Sequence, residues 1–217
     1  SCRYSDITVF SLHPVKIITT GEGGIALTNN AELADSMQRY RSHGITSDSS
    51  KMVQRPTNEI WNYQQISLGF NYRMTDIQAA LGVSQMTRLD EFVTKRHEIA
   101  NRYNDEFTGF SLQTPHQHAD SYSSFHLYPV RISVAETKQA QRQIYNALQL
   151  AGINVNLHYM PVYRQPYYEA KGFKAGYCPE AEQYHREVLS IPMYPTMATS
   201  DQNEVINALK EAEKSVS

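Results

Sequence analysis

Ile7-Thr8-Val9-Phe10-Ser11-Leu12-His13-Pro14-Val15-Lys16-Ile17-Ile18-Thr19-Thr20-Gly21-Glu22-Gly23-Gly24 opens as a β-branched and aromatic run, the composition of a buried strand. Ser11, His13 and Lys16 fall where that strand should end. A Thr-Thr-Gly-Glu-Gly-Gly turn follows, and Ile25-Ala26-Leu27-Thr28 reads as a second strand. A lysine in the loop between two strands is poorly placed for solubility alone. Partial desolvation there would lower its pKa and free its amine to act as nucleophile or base.

Two readings of Ser-x-x-x-x-Lys stand side by side. In one, Ser11 bonds a phosphate and Lys16 is a Schiff-base lysine for pyridoxal phosphate, PLP. In the other, Lys16 is an ordinary surface lysine in front of a glycine hairpin, since short patterns recur by chance.

The wider stretch, Phe10-Ser11-Leu12-His13-Pro14-Val15-Lys16 followed by Thr19-Thr20-Gly21-Glu22-Gly23-Gly24, resembles the lysine segment of the DegT/StrS-type sugar aminotransferases. The family usually has Phe where this chain has Leu12. PLP-dependent sugar dehydratases of the same family carry His at the position of Lys16, so the lysine favours transamination. The resemblance implies an α/β chain of the PLP-dependent transferase fold (aspartate aminotransferase-like, fold type I). It covers the C-terminal part of the large domain, residues 1–107 with a long interdomain helix, and the small α+β domain, residues 108–217. The family's N-terminal half carries the aspartate that pairs with the pyridine nitrogen, the residue stacked on the ring and part of the sugar site. That half is expected to be absent here, and this chain alone is not expected to be active.

The composition fits a soluble globular chain. It has 217 residues, 41% of them hydrophobic, enough for a sizeable core. A formal net charge of -2 is not the basic balance of a nucleic-acid or membrane-surface binder. No apolar run is long enough to span a bilayer, and the start is not signal-like. Cys2 and Cys178 give neither a disulfide framework nor a metal spacing. The default compartment is the cytoplasm.

After the second strand, Asn29 or Asn30 can cap a helix from about Ala31 to Tyr40, with Gly44 at its C-terminal end. His43 stands in an Arg-x-His-Gly segment similar to one in the family, and reads as structural rather than catalytic. Residues 46–67 form a long polar loop that holds Pro56 and the only tryptophan, Trp61.

Gly69-Phe70-Asn71-Tyr72-Arg73-Met74-Thr75-Asp76-Ile77-Gln78 is the second strong match. Thr75 with Gln78 is a capping-box pattern, and Ile77, Leu81, Leu89, Phe92 and Val93 predict one long helix to about Phe107. Asn71 and Arg73 sit just before it, where exposed donors could meet an anion. By resemblance, Asn71 reaches the PLP phosphate of the partner subunit, which implies a homodimer with shared sites. Arg73 serves either the substrate or an interface ion pair.

In the second half, Ser124–Ile132 reads as a strand with Pro129 at an edge or bulge, and a helix follows to Leu150. Residues 152–157 alternate as a half-buried strand. His158-Tyr159-Met160-Pro161-Val162 and Gln165-Pro166-Tyr167-Tyr168 read as an aromatic, proline-rich loop packed on the domain, and they also resemble a family stretch whose His lies near the sugar nucleotide. His158 is therefore a substrate-contact candidate. Thr199 with Gln202 can cap the last helix, whose buried stripe is Val205, Leu209, Ala212 and Val216. His116, His118 and His126 lack the spacing of a metal site, and no metal is expected. Glu182 and His185 have a Glu-x-x-His spacing without its partner motifs.

The implied reaction uses Lys16 as PLP-holding amine and general base, glutamate as the usual donor, and a keto sugar on a nucleotide as acceptor. The His-Pro-Val-Lys, Gly-Phe-Asn-Tyr-Arg-Met and His-Tyr-Met-Pro-Val segments, with Leu189–Pro195, most resemble one subgroup. It aminates C4 of UDP-4-keto-6-deoxy-N-acetyl-β-L-altrosamine on the route to pseudaminic acid. Perosamine-type and 4-amino-arabinose-type synthases share much of the pattern. A non-catalytic sugar-nucleotide binding fragment is the alternative from another class.

Overall fold

A computed structural model describes residues 2–56, 62–133 and 137–216. Trp61 lies outside the described residues. The chain forms two compact units, residues 1–89 and 90–217. Among the described residues the strands form three small antiparallel sheets.

The first unit begins with β1 (Thr8–Ser11) and β2 (Gly24–Leu27), paired so that Ser11 faces Gly24. The buried-strand expectation is corrected here. β1 and β2 pair only with each other, and Val9 and Phe10 are 72% and 49% exposed. The composition marked a strand that is made to be covered, and none of the unit's described residues covers it. Next comes α1 (Ala31–Arg41), capped by Asn30, whose Oδ1 accepts from the Glu32 and Leu33 N–H groups at 2.8 and 3.1 Å. Gly44 ends this segment with φ +71° and donates its N–H to Arg39 O. Within the long loop, β3 (Ile45–Thr46) pairs with β4 (Gln64–Gln65).

α2 (Asp76–Met86) starts at the expected capping box. The Gln78 N–H donates to Thr75 Oγ1 at 3.3 Å, and the Thr75 N–H donates to Gln78 Oε1 at 3.0 Å. The single long helix is corrected to two. α2 stops at Met86, where the Thr87 hydroxyl donates back to Ser84 O and the Arg88 N–H donates to Gln85 O. These i→i−3 bonds tighten the last turn and end the α-helical ladder. Ile77 and Leu81, whose spacing marked that helix, are 84% and 41% exposed.

α3 (Leu89–Glu106) resumes, and its Ile99, Ala100 and Tyr103 join the core of the second unit. That unit is built on the sheet β5 (Leu112–Gln113), β6 (Tyr128–Ile132) and β7 (Val188–Ile191), in the order β5-β6-β7. Tyr128, Val130 and Ile132 alternate inward along β6, as a period of two requires. α4 (Thr137–Leu150) adds Ile144 and Leu148, and α7 (Thr199–Lys214) adds Val205, Ile206 and Leu209. Side chains of this size contribute about 1.5–3 kcal/mol each when buried. Between α4 and β7 lie the short α5 (Pro166–Glu169) and α6 (Pro179–Glu187).

Three local expectations change. Pro129 is in the middle strand, yet β5 pairs only opposite Arg131 and Ile132, so the position is locally an edge. Its pair mate Ser190 sends both backbone groups the other way, to Asn156, so a missing N–H at Pro129 costs no ladder bond. Residues 152–157 bury Ile153 and Val155 as the alternation required, but the strand reduces to one bridge, Asn156 with Ser190. Thr199 is the first residue of α7, not its cap. Ala198 takes the cap position, and Gln202 turns inward to donate to Ile99 O at 2.9 Å.

Buried polar groups brace the second unit. Arg96, 5% exposed, donates through Nη1 to the carbonyls of Phe125, His126 and Met193. Burial pushes its guanidinium pKa down. Tyr103 donates to Pro192 O at 2.8 Å, and burial, with the nearby Tyr128, pushes its phenol well above the usual range. No described helix is long and apolar enough to cross a membrane.

Candidate active site

The lysine loop is closed at its neck by backbone bonds. The Leu12 N–H donates to Gly23 O at 2.9 Å, and the Thr20 N–H donates to Leu12 O at 3.0 Å. The Thr19 hydroxyl donates to the same Leu12 carbonyl at 3.0 Å. Leu12 and Thr20 are the buried pins, 5% and 2% exposed. Residues 13–19 are thereby held as a loop with Lys16 at its centre. The Lys16 N–H donates to His13 O at 3.0 Å, which turns the chain just before the side chain. Lys16 is half-buried, as a lysine in a loop gathered over its own neck should be.

Thr20 is held from a second side by α2. A methyl built on Gly82 would lie 2.7 Å from Thr20 Cγ2. One built on Gly23 would lie 2.4 Å from Thr20 Oγ1 and 2.5 Å from Met74 Cε. Both glycines exist to let the loop, Met74 and the helix approach. The Thr20 hydroxyl donates to Glu22 O at 2.7 Å, and the Gln78 amide donates to the same carbonyl at 3.2 Å. The capping-box glutamine thus has two duties, helix start and loop brace.

Asn71 and Arg73 precede that helix start. Their segment is pinned to the end of α1: the Phe70 N–H donates to Tyr40 O, the His43 N–H to Phe70 O, and the Tyr72 N–H to Arg41 O. Asn71 bridges Ser42, and both Asn71 and Arg73 are exposed. His43 contributes through its backbone, in the left-handed region at φ +62°. Ser11 ends β1, exposed, and accepts a long 3.4 Å bond from the His13 N–H. The structure brings Ser11 and Lys16 to one end of the hairpin, and Met74 and Gln78 tie the Asn71–Arg73 segment to that same loop.

His158 belongs to the second unit. Its Nδ1 lies 2.9 Å from the Ser190 hydroxyl and its ring sits edge-on to Tyr159. The chain after it is tied by Glu182 of α6. Glu182 accepts from the Tyr163 hydroxyl at 2.5 Å and from the Gly176 N–H at 2.7 Å. The Tyr163 bond first, then the Gly176 bond, hold the Glu182 carboxyl below its usual range. Of the Glu182–His185 pair, Glu182 serves this brace. Among the described residues, no group of three His, Cys, Asp or Glu side chains is gathered as for a metal ion.

Sequence reading missed Thr20, Gly82 and Ser190. Ser190 carried a signal, a hydroxyl inside the apolar run Val188–Ile191. Thr20 and Gly82 meet only in three dimensions.

The profile of the DegT/DnrJ/EryC1/StrS aminotransferase family matches residues 1–210. The chain belongs to this family. It is 35% identical over 208 residues to the UDP-4-amino-4,6-dideoxy-N-acetyl-β-L-altrosamine transaminase of Campylobacter jejuni, covering 95% of this chain and 52% of that protein. Its fold superposes with a TM-score of 0.85 on Helicobacter pylori PseC, an aminotransferase of pseudaminic acid biosynthesis, at 28% identity over 98% of this chain and 54% of that one. The putative sugar aminotransferase Spr1654 of Streptococcus pneumoniae in its PLP form gives a TM-score of 0.88 at 27% identity, over 100% of this chain and 54% of that one. The fold is that of the PLP-dependent transferases of fold type I. The chain spans about half the length of the curated relatives it matches.

Ser11 and Lys16 at the hairpin end, and Asn71 on its own segment, have donor chemistry that fits PLP. A hydroxyl at Ser11 and a carboxamide at Asn71 suit phosphate oxygens, and a primary amine at Lys16 suits an aldehyde carbon.

Proposed function

We propose that this chain carries the lysine portion of a nucleotide-sugar aminotransferase site. The observation that carries the reading is Lys16 at the centre of a loop whose neck is locked at Leu12 and Thr20. A catalytic amine must be held in place while keeping the freedom to leave and return, and a braced loop does both.

When bound, PLP supplies an aldehyde carbon and a ring that accepts an electron pair. Lys16 would hold the aldehyde carbon through its amine, and the same amine would serve as the base for the proton on the donor's α-carbon. Ser11 bonds the phosphate, and Asn71 bonds the phosphate bound by the partner copy in a homodimer with shared sites. Arg73 serves substrate or an interface ion pair, and His158 contacts the sugar nucleotide. In this reading residues 1–107 correspond to the family's large-domain part and 108–217 to its small domain, although residues 90–106 pack with the second compact unit.

The acceptor in this reading is UDP-4-keto-6-deoxy-N-acetyl-β-L-altrosamine, aminated at C4 with glutamate as donor, in the cytoplasm. The likeness to the Campylobacter enzyme and PseC supports it. A perosamine or 4-amino-arabinose acceptor is the second reading, because synthases of those types share much of this chain's sequence pattern.

The test is borohydride reduction of the full-length gene product after addition of PLP, with the modified peptide mapped. A pyridoxyl adduct on Lys16 is expected. A folded protein that shows no adduct there loses the aminotransferase reading, and a non-catalytic sugar-nucleotide binder takes its place.

A further inference from the structure

We propose that Ser190 is a positioning residue that sets His158 in the Nε2–H tautomer, so that the ring offers a donor to the sugar nucleotide. The part about substrate rests on the reading of His158 given above.

Ser190 is the one hydroxyl in a strand whose four residues are all buried. It is 5% exposed, and a buried hydroxyl is costly unless bonded. Its backbone is committed to the segment that leads to His158. The Asn156 N–H donates to Ser190 O at 3.1 Å, and the Ser190 N–H donates to Asn156 O at 2.8 Å. Its side chain reaches the same segment, with Oγ 2.9 Å from His158 Nδ1. Three bonds from one residue therefore fix both the chain at 156 and the ring at 158.

The hydroxyl proton decides the tautomer. Among the described residues, His158 Nδ1 is the acceptor within reach of Ser190 Oγ. If the ring donated from Nδ1, the buried hydroxyl proton would be left without an acceptor. The hydroxyl therefore donates to Nδ1, and in the neutral ring the proton is on Nε2. An N–H donor is the group that meets phosphate or sugar oxygens of an anionic nucleotide sugar.

The experiment uses the full-length holoenzyme labelled with ¹⁵N-histidine, the His158 signals being assigned by their loss in His158→Ala. Tautomer is read from the ring ¹⁵N shifts, and KM and kcat are measured with the UDP-linked 4-keto sugar. Wild type is expected to show the Nε2–H pattern. Ser190→Ala is expected to mix the tautomers and raise KM about 3- to 10-fold, with kcat changed less than about 2-fold. In the His158→Ala background, Ser190→Ala should add nothing further. Ser190→Cys, a weaker donor of similar size, should fall between. An Nδ1–H pattern in wild type, or an unchanged pattern in Ser190→Ala, overturns the assignment. If His158→Ala leaves KM unaltered while Ser190→Ala still mixes the tautomers, the orientation by Ser190 stands and the substrate reading of His158 falls.

Discussion

Gly82 and Thr20 touch because Gly82 has no side chain: a methyl on it would stand 2.7 Å from Thr20 Cγ2. Thr20 is the buried pin of the lysine loop, so α2 braces Lys16 through this contact. Gly82→Val is expected to force Thr20 off its seat and to cost about 1–3 kcal/mol in stability. The loop neck would open, and reductive labelling of Lys16 would fall. Denaturant melts and adduct yield check it; an unchanged melt with full labelling would mean the contact does not brace the loop.

Gly44 is constrained twice. Its φ is +71°, and a Cβ there would lie 1.9 Å from the Ser67 carbonyl oxygen, a backbone atom. Gly44→Ala should cost at least about 2 kcal/mol, because left-handed strain of about 1–2 kcal/mol adds to a clash that no side chain can relieve. Chemical denaturation measures it. A loss below about 0.5 kcal/mol would show that the 43–44 turn and residue 67 move apart freely.

Lys16→Arg keeps a positive charge and removes the nucleophilic amine. Transamination by the full-length gene product should fall at least about 10²–10⁴-fold, the range of a positioned acid–base group, and the pyridoxyl adduct should vanish. The melting temperature should stay close to wild type, since the loop neck is made by Leu12, Thr19 and Thr20 rather than by Lys16. Activity retained in Lys16→Arg would move the chemistry to another residue.

Arg96 serves three carbonyls with one Nη1 group. Arg96→Met fills similar space but leaves the carbonyls of Phe125, His126 and Met193 without this donor, for a loss of roughly 1–3 kcal/mol or more. Arg96→Lys should recover part of it. A methionine variant as stable as wild type would show that water replaces the guanidinium.

Acid should loosen the loop held by Glu182. Its folded pKa is depressed, first by the Tyr163 hydroxyl and then by the Gly176 N–H. The stabilisation is therefore complete above the unfolded carboxyl value near 4.5 and is lost as pH falls through the lower folded value. Corrected for its intrinsic pH dependence, amide exchange at Gly176 and Cys178 should rise below about pH 4.5 in wild type, and these amides should be unprotected at all pH values in Glu182→Ala. Exchange that is flat through this range would remove Glu182 as the tie.

Much of the local frame of the candidate site was legible in the sequence because its signals are local. The Thr75–Gln78 capping box and the Asn30 cap appear as the short-range hydrogen bonds their spacing demands. The glycines of Thr19–Gly24 announced a tight return, and Ser11 and Lys16 do sit at one end of the hairpin. The single long helix was not legible correctly. Apolar spacing continues through Thr87, while the break is made by a threonine hydroxyl bonding back to Ser84, which periodicity does not register.

The sequence by itself determined the strand–lysine loop–strand unit and the helix starts at Asn30 and Thr75, since each depends on residues close together in the chain, and it carried the family. Only the tertiary structure decided which side chains hold the candidate site. Thr20 meets Gly82 across 62 positions, and His158 meets Ser190 across 32. It also decided which apolar faces are covered: the Tyr128–Val130–Ile132 face is buried by helices of its own unit, whereas Val9, Phe10 and Ile77 are exposed. Hydrophobicity states that a face gains by leaving water, and packing alone selects what removes it.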